Sequence, residues 1–248
     1  MKPIYKTLSF FLILIFYVPI ASSQGLPTVT PEEVGISSPR LDRLKPAMQD
    51  YVSQNKLPGL ITLIARRGKV VHFEKYGNMN NNQSMQFDTI FRIASMTKPV
   101  TSVAVMILYE EGRFQLNDPV SKYISEFKDV KVFSALKNGK LELVDPENPM
   151  TIRDLLTHTS GLTYGFFGNT PVDSIYKKAN LYNGTLKDMI QKLAKIPLLY
   201  QPGTKWNYSV STDVLAYLVE VISGEDFDEF LEERIFNPLK ISGLMVVI

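Results

Sequence analysis

FRIASMTKPVTSVAVMILYEEG, residues 91–112, decides how this chain is read. Val100, Val103, Ala104, Ile107 and Leu108 recur at helical spacing between Met96 and Glu111, and Gly112 supplies a stop. Proline is tolerated only in a first helical turn, so Pro99 puts Ser95 at or near the amino end of that helix. Unpaired backbone N–H groups there favour negative charge, which suits an alkoxide or a developing oxyanion. Lys98, one turn on, shares a face with Ser95. The same N–H groups, with burial beside Ile93, Ala94 and Val100, disfavour an ammonium; the sequence therefore predicts Lys98 below the ordinary lysine value of about 10.4.

Spacing alone does not single this pair out. Ser-x-x-Lys also occurs at Ser53/Lys56, Ser125/Lys128, Ser134/Lys137 and Ser174/Lys177, each in polar, broken surroundings. Only Ser95 opens a long apolar helix. Two readings stay equal at this level: a nucleophile with its general base, or a helix-capping serine beside a snorkelling lysine.

Upstream, Ser38-Pro39 starts a helix whose apolar positions Leu41, Leu44, Met48, Tyr51 and Val52 predict one amphipathic element ending near Gln54. GLITLIARRGKVVHFEKYG then reads as a β-hairpin turning at Arg67-Gly68. Downstream, NDPVSKYISEF is a short helix or turn, and the charged stretch to Asn148 is surface with short strands. Thr151 with Asp154 and Thr185 with Asp188 form capping boxes, aspartate replacing the usual glutamate. Ser211 or Thr212 starts a further helix that stops at Gly224. The pattern is one α+β unit over residues 24–248, a hairpin followed by a group of helices.

Composition bounds the chemistry. Residues 1–23 carry Lys2, Lys6, an apolar run from Leu8 to Ala21 and small residues before Gln24, the pattern of a secretory signal peptide. The run is shorter than the roughly 20 residues of a membrane span, so a secreted or periplasmic protein without a stable span after signal removal is expected. Without those residues the 27 basic side chains of the chain fall by two to 25, equal to its 25 acidic ones. A net charge of zero argues against nucleic acid as a partner. The chain has no cysteine, only His72 and His158, and no His-Glu-x-x-His string, so no disulfide, metal or other cofactor is expected.

Three segments in chain order carry a resemblance. FRIASMTKPVTSVAVMILYEEGRFQLNDPVSKYI, TIRDLLTHTSGL and PGTKWNYSVSTDVLAYLVEVISG are similar to the nucleophile helix, the following loop and the second motif of the serine β-lactamase and penicillin-binding-protein superfamily, above all class C β-lactamases and family VIII carboxylesterases. The resemblance runs from about Pro31 to Leu239. It implies a β-lactamase/transpeptidase-like α+β fold, an antiparallel sheet with a helical subdomain. It also implies Ser95 as acylated nucleophile, Lys98 as its activating partner and Tyr208 as the phenol sharing proton transfer, with the Ser95 N–H as one oxyanion donor. His158 is read as fixing the loop and His72 as structural.

The sequence departs from that pattern twice. Tyr208-Ser209-Val210 stands where class C enzymes have Tyr-x-Asn, which turns the expected substrate from a β-lactam toward small esters. A literal Tyr-x-Asn at Tyr76-Gly77-Asn78 precedes Ser95 and is read as a turn. The third family motif, Lys-Thr-Gly or His-x-Gly on a strand supplying the second oxyanion N–H, does not occur. The C-terminal strands of the sheet are therefore expected to be missing, Ile61, Leu63 and Val71 to be poorly covered, and GLMVVI to be an aggregation hazard if exposed. The reading is an exported serine hydrolase of small-molecule esters or amides, most of all a carboxylesterase, its activity weak or lost. A β-lactamase or D,D-peptidase and a non-catalytic binding fragment are the alternatives, and oligomeric state stays open.

Overall fold

A computed structural model describes residues 25–80 and 82–242. The signal segment and the GLMVVI tail lie outside the described residues. The chain divides between Thr89 and Ile90 into two compact units.

The first unit is built on the hairpin. β1 (Gly59–Arg66) pairs antiparallel with β2 (Lys69–Asn80), and the short β3 (Gln83–Ser84) extends the sheet beyond β2. The predicted single helix is two: α1 (Ser38–Leu41) and α2 (Leu44–Ser53). Pro46 explains the break, because its ring would meet the carbonyl of Asp42 four residues back in a continuous helix. Tyr76-Gly77-Asn78 is not a turn but part of β2, where Gly77 takes φ 67° opposite Gly59. A side chain at Gly77 would come within 2.3 Å of the Pro58 carbonyl oxygen. The coverage expectation also splits. Register slips between Ile64 and Ala65, leaving Val71 as the extra residue of a bulge and buried, whereas the directly opposed Leu63 and Phe73 are exposed.

The second unit has a continuous apolar core. α3 (Thr97–Glu110) packs on α7 (Ser211–Ser223), which also meets α4 (Ile152–Leu156), α6 (Leu186–Leu193) and α8 (Phe227–Leu231). Val214, Leu215, Ala216, Leu218 and Val219 are all buried, the all-round apolarity of a helix enclosed by others. On α3, Ala104 and Leu108 face the core as predicted, but Val103 is half exposed and Thr101 and Val105 take its place. A second hairpin, β4 (Val132–Lys137) with β5 (Lys140–Val144), fills the charged stretch. Both predicted capping boxes form, and a third, Thr170 with Asp173, opens α5 (Pro171–Lys178). Among the described residues no helix is long and apolar enough to cross a membrane.

Candidate active site

Ser95 sits in a single 3-10 turn, Ala94–Met96, that leads into α3. The residue before it, Ala94, has φ 43°, a left-handed conformation that costs a non-glycine residue on the order of 1 kcal/mol. Backbone strain of this kind is held only where the surroundings enforce it. Lys98 follows as the second residue of α3, and Pro99 as the third, inside the turn where its missing N–H costs nothing.

Tyr208 reaches the same point from a different segment. Its hydroxyl donates to Ser95 Oγ at 2.6 Å. The segment is held against the THTSGL loop by backbone bonds: Asn207 N–H donates to the His158 carbonyl at 2.8 Å and Gly203 N–H to the Thr159 carbonyl at 2.8 Å. Close approach requires Gly161, at φ 85°, where a Cβ would stand 2.1 Å from the Tyr200 carbonyl oxygen. Beneath Tyr208, three hydroxyls form a buried chain, Ser160 to Ser211 and Ser211 to Ser209, each 2.7 Å apart. Ser211 starts α7 as expected, but its side chain is spent in this network and Val210 occupies the cap position.

His158 lies behind Tyr208 with ring centroids 4.9 Å apart, and its Nδ1 accepts from the Ser209 N–H at 3.3 Å. Burial, then the charge of Lys98, holds the imidazole below its ordinary value, so it stays a neutral acceptor. His72 belongs to the first unit, where its Nε2 lies 2.6 Å from Thr62 Oγ1.

Lys98 differs from expectation. Its Nζ donates to Tyr164 Oη at 2.8 Å and stands 4.9 Å from the centroid of the Tyr208 ring. Burial pulls the amine down, but bonding to Tyr164 and then Tyr208 outweighs it, and the net direction is upward. The prediction of a depressed lysine is thereby overturned: two phenol oxygens stabilise the ammonium more than its partial burial costs. Tyr208 shifts the other way. Burial raises its phenol, while bonding to Ser95 and to Lys98 lowers it by more, leaving it below its ordinary value. Of the two groups, the tyrosine is the one brought toward a basic form at neutral pH.

The sequence reading missed two residues here. Tyr164, held above its ordinary value mainly by burial, follows the THTSGL loop by two positions and joins it to Lys98. Asp213, five residues after Tyr208, lines the same cavity, and burial pushes it up to about 6 against the pull of Lys98. Its sequence signal is an aspartate at the third position of a helix whose cap, Val210, cannot reciprocate. The cavity measures about 610 Å³, with Phe166, Phe167 and Tyr182 adding aromatic walls. Geometrically, then, a serine hydroxyl, a phenol of lowered pKa and an ammonium converge at the open end of a helix.

Comparison with known proteins gives this geometry a lineage. Residues 44–245 match the family model described as Beta-lactamase. An uncharacterized protein of Mycobacterium tuberculosis is 35% identical over 80% of this chain and 50% of its own length. Esterase EstB of Burkholderia gladioli is 30% identical over 79% of this chain and 49% of its own. The unliganded simvastatin synthase LovD of Aspergillus terreus superposes with a TM-score of 0.71 at 28% identity, covering 83% of this chain and 53% of that one. The chain thus spans about half the length of the relatives it matches.

Proposed function

Because the chain belongs to the Beta-lactamase family, we propose that it is a serine hydrolase that forms an acyl-enzyme on Ser95, with carboxylesterase activity on small esters. One observation carries the reading: the Tyr208 hydroxyl bonded to Ser95 Oγ at 2.6 Å, with the Lys98 ammonium beside the phenol ring.

In this mechanism Tyr208, as phenolate, takes the Ser95 proton while Oγ attacks the ester carbonyl. The tetrahedral oxyanion is met by the Ser95 N–H. Collapse breaks the bond to the alcohol oxygen, which leaves with the proton from Tyr208. Water then enters, loses a proton to Tyr208 and attacks the acyl carbon; Ser95 Oγ departs and recovers its proton. Lys98 stays protonated and holds the phenolate. Tyr208-Ser209-Val210 in place of Tyr-x-Asn supports an ester over a β-lactam. The pattern of residues 1–23 supports export, with residues 24–248 as the hydrolase domain.

Purified protein is expected to release nitrophenol from 4-nitrophenyl butyrate and to take up one fluorophosphonate at Ser95, with both lost in Ser95→Ala. A second oxyanion donor is worth about 100- to 1,000-fold in turnover, so the absolute rate reports how complete the oxyanion site is. Faster turnover of nitrocefin or of a D-Ala-D-Ala peptide than of the ester would replace this reading with a β-lactamase or a D,D-peptidase. No Ser95 labelling in folded protein would leave a binding fragment.

A further inference from the structure

Asp213 has a use that helix architecture does not account for. Among the described residues, four helices carry aspartate at their third position. In α4, α5 and α6 that aspartate turns back and accepts from the N–H and the hydroxyl of a threonine cap. In α7 the cap is Val210, which has no hydroxyl to offer, and Asp213 lines the cavity that holds Ser95. Among the described residues no other residue hydrogen-bonds its carboxylate.

A carboxylate drawn partly out of water with no other residue donating to it is costly. This one also opposes the chemistry, since its charge disfavours ionisation of Tyr208. A cation on the ligand would remove both penalties. Phe166, Phe167 and Tyr182 border the same space, and aromatic rings attract an ammonium group through their quadrupoles. The other charged or titratable groups facing the cavity are Arg92, Lys98, Tyr164, Tyr182 and Tyr208. Lys98 favours the Asp213 carboxylate through its charge, yet among the described residues no cation stands within ion-pair distance of it.

We propose that this cavity selects esters bearing an ammonium group, with Asp213 as the counter-charge and the aromatic side chains as walls. The assignment deepens the esterase reading and rests on it for the fate of the bound ester, but binding itself is a separate property. Pairing with the ligand offsets the field of Asp213 on Tyr208, so the preferred ester also favours the phenolate form that takes the Ser95 proton.

Trp206, the sole tryptophan of the sequence, stacks near Tyr208 with centroids 6.4 Å apart and reports occupancy by fluorescence. Ser95→Ala protein is titrated with butyrylcholine and with its neutral isostere 3,3-dimethylbutyl butyrate. At pH 7.5 the cationic ester is expected to bind about tenfold tighter. Asp213→Asn should bring that ratio near one and Asp213→Glu should keep most of it. The preference should also fade as pH falls through about 6 and the carboxylate takes up a proton. Equal affinities at pH 7.5, or a preference that neither Asp213→Asn nor acid reduces, overturns the proposal. Should Asp213→Asn fail to fold, the pH series in Ser95→Ala protein carries the same decision. Fluorophosphonate labelling of the unmutated chain separates the two ideas: cation preference without labelling refutes the hydrolase reading alone, and labelling without preference refutes this one alone.

Discussion

The two units of this protein solve the same burial problem unequally. Among the described residues of the first, the buried hydrophobic ones are Val34, Val70, Val71, Tyr76 and Met85, while Leu63, Phe73 and Phe87 are exposed. In the second, one apolar cluster runs from Ala104 on α3 to Phe236, with Phe230, Ile190 and Val219 fully enclosed. Every residue of the candidate site belongs to the second unit. A nucleophile held next to a strained Ala94 needs a mount that cannot relax, and a continuous close-packed core supplies one where a sparsely covered hairpin does not.

That contrast can be broken at several points, the strongest first. Ser95→Ala should lower ester hydrolysis on the order of 10⁴-fold or more with an unchanged circular dichroism spectrum. Tyr208→Phe should cost about 10²- to 10⁴-fold in kcat, because the phenol is the proton carrier. In the intact protein kcat/KM should rise with pH toward a midpoint below the ordinary phenol value of 10.0. Lys98→Met should move that midpoint upward, since the ammonium that favours phenolate is gone; a midpoint that stays put would exclude Lys98 from this role.

Packing is the next test. Phe230→Ala should destabilise by about 3–5 kcal/mol in urea unfolding, whereas Leu63→Ser on the exposed strand face should stay within about 0.5 kcal/mol. Comparable losses at the two positions would mean that Leu63 is covered in solution. The last test concerns Asp213. Its folded value, about 6, lies above its unfolded value, 3.8, so its contribution to stability is full below about pH 4 and is lost as pH rises through 6. Asp213→Asn should therefore gain on the order of 3 kcal/mol at pH 7.5 and little at pH 4, as measured by urea unfolding at the two values.

Much of this was legible in the residues. Arg67-Gly68 marked the hairpin, Pro99 marked the opening of α3, and the threonine–aspartate pairs marked α4 and α6, because each is a local rule acting over a few positions. Where a rule had a rival within the same stretch, the reading erred. The spacing from Leu41 to Val52 suggested one continuous helix and Pro46 broke it; Val71, expected to be poorly covered, is buried at a bulge; Val103 fitted the periodicity of α3 yet lies on its open side.

By itself, the sequence determined which serine could be a nucleophile: only Ser95 combines the spacing to Lys98 with an apolar helix and a proline placed to put it at the amino end. Only the tertiary structure decided the charges around it. Lys98 is raised rather than lowered because Tyr164 and Tyr208, 66 and 110 positions further along, bring oxygens to its ammonium. Electrostatic free energy depends on distances in space, and a chain reveals those only where its own local geometry fixes them.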